Sequence, residues 1–212
     1  MINKKYLTEF LGTGALLSVI TGSGLMGQAL SSGNDAVTLL GNSIATGAGL
    51  YVLIMILGPI SGAHFNPLVS VMACIHKQLK RKDLFPYIAS QITGAIAGVW
   101  MTHLMFNLPV IQTSTKIRSG LGIWVSEVIA TLILLTVIYL GLKYAKKHIA
   151  MLVALTVTAG YWFTSSTFFC NPAVTFARSL SDTFVGIAPE NILGFVIPQV
   201  IALILILQII KK

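Results

Sequence analysis

Ser61-Gly62-Ala63-His64-Phe65-Asn66-Pro67-Leu68-Val69-Ser70 is a small, moderately apolar stretch cut by an Asn-Pro pair, and Cys170-Asn171-Pro172-Ala173-Val174-Thr175 answers it in the second half of the chain. One such pair is ordinary, because Asn is a good helix N-cap and Pro is favoured at the first helical position. The segments around the two pairs, Ser61 to His76 and Thr164 to Asp182, are each too short to cross a bilayer. Their setting therefore decides what they are.

That setting is lipid. The 212 residues are 55% apolar and 9% charged, whereas ordinary soluble domains carry about a quarter charged residues. Apolar blocks run from Tyr6 to Leu30, Ala36 to Gly58, Leu84 to Leu108, Gly120 to Leu142, His148 to Phe163 and Asn191 to Ile210. A span needs about 20 such residues, so the pattern predicts six transmembrane helices with two re-entrant segments between them. Non-helical backbone at membrane depth is tolerated only where protein or a water-filled cavity satisfies its polar groups, which implies a polar lumen. The expectation is one transmembrane channel domain over 1–212.

The net charge of +8 reads as topology. Lys4, Lys5, Lys77, Lys80, Arg81, Lys82, Lys143, Lys146, Lys147, Lys211 and Lys212 fall on one side of the predicted spans, and only Lys116, Arg118 and Arg178 on the other. By the positive-inside rule both termini are expected in the cytoplasm, in a multi-pass protein of the cell (inner) membrane, without nucleic-acid binding. The first block has no small-residue cleavage site and is expected to be a retained span. Cys74 and Cys170 give no disulfide framework.

The chain also repeats. Thr8-Glu9-Phe10-Leu11-Gly12-Thr13 matches Ser126-Glu127-Val128-Ile129-Ala130-Thr131, the Asn-Pro segments match, and Gln91 answers Gln199. These landmarks occur in the same order in repeat 1, about 1–108, and repeat 2, about 120–212. Each half holds three spans, an odd number, so the halves enter the membrane in opposite orientations. Corresponding interrupted segments of an inverted repeat are the best sequence pointer to a binding site. The two short helices are expected to meet N-terminus to N-terminus at the midplane, each end carrying about half a positive charge. Their two Asn amides then face one passing neutral molecule, while protons and cations are rejected.

Glu9 with Gly12-Thr13, the stretch Ser61 to Pro67, Glu127, Asn171-Pro172-Ala173 and Gln91 with Gln199 resemble the major intrinsic protein family, the aquaporins and glycerol facilitators, over essentially the whole chain. The resemblance implies an all-α membrane fold of six transmembrane helices and two re-entrant half-helices, a homotetramer with one pore per subunit, and passive transport of small neutral solutes without a cofactor, metal site or catalytic residue. The first box departs from the family pattern, with Leu68 where Ala is usual. In similar proteins the narrowest ring has four positions, which fall here on Thr46, on Ala159 or Gly160, on Phe168 and on Val174. The last replaces the usual Arg. Such a ring is wide and weakly polar, suited to glycerol-sized polyols or neutral metalloid hydroxides such as arsenite as well as water.

Further residues carry two readings each. Arg178 either lines the outer vestibule, or snorkels to the interface or caps nearby carbonyls, and His64 either lines the inner vestibule or anchors its own loop. Glu9 and Glu127 are expected to accept from re-entrant backbone amides, with a proton relay as the rival reading. Cys170 either faces the pore or is a small buried residue. Gly94 and Gly98 fit a close helix contact. No His-Glu-x-x-His, Gly-x-Ser-x-Gly or paired Asp motif lies in a span, which argues against an enzyme. The competing class is an ion- or proton-coupled transporter with the same inverted repeat, which would need an ionisable group where Asn66 and Asn171 stand.

Overall fold

The computed structural model describes residues 3–210; Lys211 and Lys212 lie outside the described residues. Eight α-helices follow one another: α1 (Lys4–Leu30), α2 (Asp35–Ser61), α3 (Pro67–Ile75), α4 (Arg81–Met105), α5 (Leu121–Tyr144), α6 (Ile149–Phe163), α7 (Pro172–Arg178) and α8 (Ile192–Ile210). Among the described residues there is no strand. Helices α1, α2, α4, α5 and α8 are long and apolar enough to span a bilayer. Helix α6, at 15 residues, is shorter and is led in by a 3₁₀ turn at Lys146–His148.

Helix ends follow capping chemistry rather than the edges of the apolar blocks. Asn34 accepts from the amides of Ala36 and Val37, so α2 begins one residue before its apolar block, at Asp35. Its far end runs on to Ser61, where Gly62 takes φ +93 and closes the helix. Gly tolerates that left-handed turn without a Cβ penalty. Ser61 thus belongs to α2, and the first re-entrant segment begins after it. Arg81, Lys82 and Asp83 likewise form the first turn of α4: Arg81 and Lys82 reach water from the helix end, and buried Asp83 accepts from the Tyr6 hydroxyl at 2.7 Å.

The two halves pack by one scheme. Helix α1 lies against α2 and α4, and its counterpart α5 against α6 and α8; α2 and α6 meet across the join. Half-helix α7 packs on α4 of the other repeat, and α3 touches α8. The α1–α4 contact is as close as backbone permits: a Cβ at Gly98 would stand 2.1 Å from the Gly14 carbonyl oxygen, and one at Gly94 2.2 Å from that of Phe10. The interior holds Leu17, Phe65, Leu135 and Phe195 together with Glu9, Gln91, Glu127 and Gln199, all almost wholly buried, while Leu11, Ile56, Trp162 and Ile204 face outward. Polar side chains inside and apolar ones outside suit a chain solvated by lipid.

Candidate functional site

Two buried carboxylates organise the re-entrant loops. Glu9 Oε1 accepts from the Ser61 hydroxyl (2.6 Å) and the His64 amide (3.0 Å), and Oε2 from the Phe65 amide and the Gln91 side chain (both 2.8 Å). In the second half Glu127 accepts from the amides of Phe169 (3.1 Å) and Cys170 (3.0 Å) and from Gln199 (2.7 Å). Gln91 donates onward to Ser70 and Gln199 to Thr175. Apart from the Ser61 hydroxyl, whose counterpart Ser166 pairs with Ser126, one network mirrors the other. Phe65 and Cys170, the residues before each Asn, both take positive φ, 50° and 51°. A non-glycine residue in that region costs on the order of 1–3 kcal/mol and persists only where its surroundings hold it; here a carboxylate holds each amide.

That twist sends each loop carbonyl across to the other half. Asn66 Nδ2 donates to the Cys170 carbonyl and Asn171 Nδ2 to the Phe65 carbonyl, both at 2.8 Å. The Asn oxygens face the other way and cap their own helices: Asn66 Oδ1 accepts from the Leu68 amide, and Asn171 Oδ1 from the amides of Ala173 and Val174. A side-chain amide has two N–H donors, so each Asn keeps one beyond its cross-loop bond. Pro67 and Pro172 occupy the first helical positions, where a missing N–H costs nothing. Leu68 is buried in the same apolar core as Ala173, within reach of the tip-to-tip contact.

A cavity of about 940 Å³ passes these tips. One mouth is lined by Lys5, Gln78, Lys146 and Lys147; His64, Asn66, Cys170 and Asn171 follow, and Thr46, Tyr161, Phe168 and Val174 line the far end with Phe169 and Arg178. Neither Ala159 nor Gly160, the two α6 positions counted for the ring, lines the cavity. Ala159 is exposed on the outer face of α6. Gly160 sits behind the ring, where an added Cβ would fall 2.2 Å from Phe168. From α6 the cavity is lined at this end by Tyr161, whose hydroxyl lies 3.3 Å from Thr46 Oγ1. Its position one residue past the expected pair, as a hydroxyl-bearing side chain on an apolar helix, was the signal available. At this end of the cavity Thr46 and Tyr161 present hydroxyls, and Phe168 and Val174 present apolar side chains.

Arg178 closes α7 and is 2% exposed. Its Nε–H donates to the Val185 carbonyl, and its guanidinium carbon stands 3.5 Å from the centre of the Phe169 ring. Arg178 thus both binds a backbone carbonyl and lines the cavity. From the linker between the repeats, Arg118 donates to the carbonyls of Gly186 and Phe184 and Lys116 to that of Phe184. Burial, then the charges of Arg118 and Arg178, push the Lys116 amine down to about 8. Burial lowers Arg118 to about 10, which leaves it charged at neutral pH. His64 lines the cavity, and its Nδ1 lies 3.0 Å from Ser70 Oγ. Cys170 is a buried free thiol beside Asn171. Among the described residues no group of His, Cys, Asp and Glu is arranged to hold a metal. Sequence reasoning gave no site role to Tyr161, Phe169 or Arg118.

The family described as Major intrinsic protein matches residues 1–180. The chain belongs to the major intrinsic protein family. It is similar to the aquaglyceroporin AqpS of Rhizobium meliloti, 44% identical over 210 residues that cover 99% of this chain and 90% of the relative. It is 31% identical to Aquaporin-5 of Mus musculus, covering 84% of this chain and 69% of that one. The fold matches the X-ray structure of the aquaglyceroporin from Plasmodium falciparum with a TM-score of 0.73 at 20% identity, over 95% of this chain and 92% of that chain. As a member of the major intrinsic protein family it is a multi-pass membrane protein, with the six-helix, two-half-helix architecture expected of the sequence.

Proposed function

We propose that this protein is a passive channel for small uncharged solutes, with a pore wide enough for glycerol-sized polyols and neutral metalloid hydroxides such as arsenite as well as water. The carrying observation is the cavity itself, which passes two helix tips with paired Asn donors and then a ring whose four members include no cation. Each Asn offers a remaining N–H to a solute oxygen. A molecule accepting from both turns its own hydrogens away, and the chain along which a proton would hop is interrupted. The ring hydroxyls can exchange hydrogen bonds with a solute's polar edge while Phe168 and Val174 meet its carbon or metalloid edge. No bond is made or broken in the solute, so no enzymatic step is needed. The basic mouth formed by Lys5, Lys146 and Lys147 supports a cytoplasmic placement of that end and of both termini. Residues 1–212 act as one channel unit of two repeats, and we infer a homotetramer from family membership.

Stopped-flow light scattering of proteoliposomes tests this reading. Glycerol and arsenite are expected to enter faster than into empty liposomes, with uptake unchanged by membrane potential or a pH difference. A coupled transporter would respond to one of these and accumulate its solute. Val174→Arg should cut glycerol and arsenite uptake by about tenfold while leaving water flux within about threefold, since one filled ring position costs the larger solutes more. Fast water flux indifferent to that substitution, with no uptake of the larger solutes, would contradict the wide-ring reading.

A further inference from the structure

We propose that Arg178 is the cation-excluding residue at the outer end of this pore, a guanidinium set one helical turn beyond the ring position held by Val174 and fixed over the cavity by Phe169 and the carbonyls of residues 184–186. The proposal rests on the channel reading above. Val174 and Arg178 lie four residues apart on α7, hence on one face and about 6 Å apart along the axis. Both line the same cavity. The ring contributes no charge of its own, so the nearest fixed cation to the constriction is Arg178.

Three details separate this from a side chain that merely fills space. First, only Nε is committed, to Val185; among the described residues neither terminal NH₂ group has a protein acceptor, although the side chain is almost fully buried. Second, two guanidinium groups lie over the Phe169 ring, Arg178 at 3.5 Å and Arg118 at 5.4 Å from its centre. A ring face attracts a cation without neutralising it, so the charge is held in place and kept. Third, Lys116, Arg118 and Arg178 all donate to the consecutive carbonyls of Phe184, Val185 and Gly186. Carbonyl dipoles make three neighbouring cations tolerable where carboxylates would cancel them. Arg118 and Phe169 are thus positioning residues, and Arg178 is the group a passing ion meets. One unit charge at about 6 Å, at the effective dielectric constant of 20 suited to proteins, corresponds to about a hundredfold effect on the passage of a monovalent cation.

Proteoliposomes carrying a sodium gradient and an ion-sensitive dye, with glycerol uptake read in parallel, test this. Arg178→Gln is expected to raise sodium leak by about tenfold or more while glycerol uptake stays within about threefold, and Arg178→Lys is expected to restore tightness to sodium. A merely structural role would affect Gln and Lys alike and would alter both fluxes. Arg178→Gln protein that passes glycerol normally and holds sodium as tightly as the wild type overturns the proposal. Should that variant fail to fold, Phe169→Leu removes the platform without touching the charge: a leak raised several-fold supports the proposal, and normal glycerol uptake with no leak overturns it. Wild-type protein that excludes sodium and glycerol alike would defeat the channel reading, whereas the change in leak on substitution would still decide the role of Arg178.

Discussion

Gly160 shows how a residue can govern a pore without touching it. A Cβ there would stand 2.2 Å from the Phe168 ring, well inside contact distance, and the ring is a stiff plane rather than the tip of a flexible chain. Gly160→Ala is therefore expected to drive Phe168 toward the lumen, where Tyr161, Thr46 and Val174 already stand, and to cut glycerol uptake at least about fivefold with a smaller loss of water flux. Parallel light-scattering traces for the two solutes check this; equal losses of both would point to general damage instead. The residue scale is also where sequence reading stopped short. Thr46, Phe168 and Val174 were counted from the family's motifs, and all three line the cavity. The α6 residues counted in the same way do not line it, because the rotation of a helix about its own axis is set by the neighbours it packs on, such as Gly47 of α2 against Thr158 of α6. The stack of Arg118 and Arg178 on Phe169 joins three separate stretches of chain, and nothing local announces it.

Among the elements, the tightest pair is α1 and α4. Gly98→Ala would place a methyl group 2.1 Å from a backbone oxygen that cannot move without moving all of α1. Overpacking of this kind costs typically about 1–3 kcal/mol, so thermal unfolding in detergent should show a midpoint lowered by several degrees. An unchanged midpoint would mean that the helices separate more readily than their contact indicates. The long helices were legible almost to their ends, since runs of apolar residues bounded by Asn, Gly and charge leave little choice in lipid. The half-helices were legible because Asn-Pro is a start signal. What the sequence did not reveal was the backbone of the connecting loops: Phe65 and Cys170 adopt positive φ only because Glu9 and Glu127 pull on their amides from distant helices.

At the scale of the whole molecule the charge is divided between two faces that differ in kind. At one mouth Lys5, Lys146 and Lys147 are exposed, whereas at the other end Lys116, Arg118 and Arg178 are partly or wholly buried and bonded to backbone. Lys116, pushed down to about 8 against an ordinary 10.5, is charged at pH 7 and neutral at pH 9. Between those two values the folded protein binds fewer protons than the unfolded chain, so this group's contribution to stability rises as pH climbs through 8 and levels off near 10.5. Lys116 is expected to react first among the lysines with an amine-selective acylating reagent at pH 8, as mass spectrometry of the labelled protein would show. A labelling order led by the exposed Lys146 and Lys147 would contradict the shift.

The crossed bonds from Asn66 to the Cys170 carbonyl and from Asn171 to the Phe65 carbonyl bear on how the chain is made. During synthesis the first repeat reaches the bilayer with a carbonyl and an amide at mid-depth whose partners have not yet been translated. Until the ribosome has delivered the second repeat, that nascent half must shelter those groups with water or translocon surface. A message cut short between the repeats would leave a fragment whose polar core has no mate, a natural target for membrane quality control.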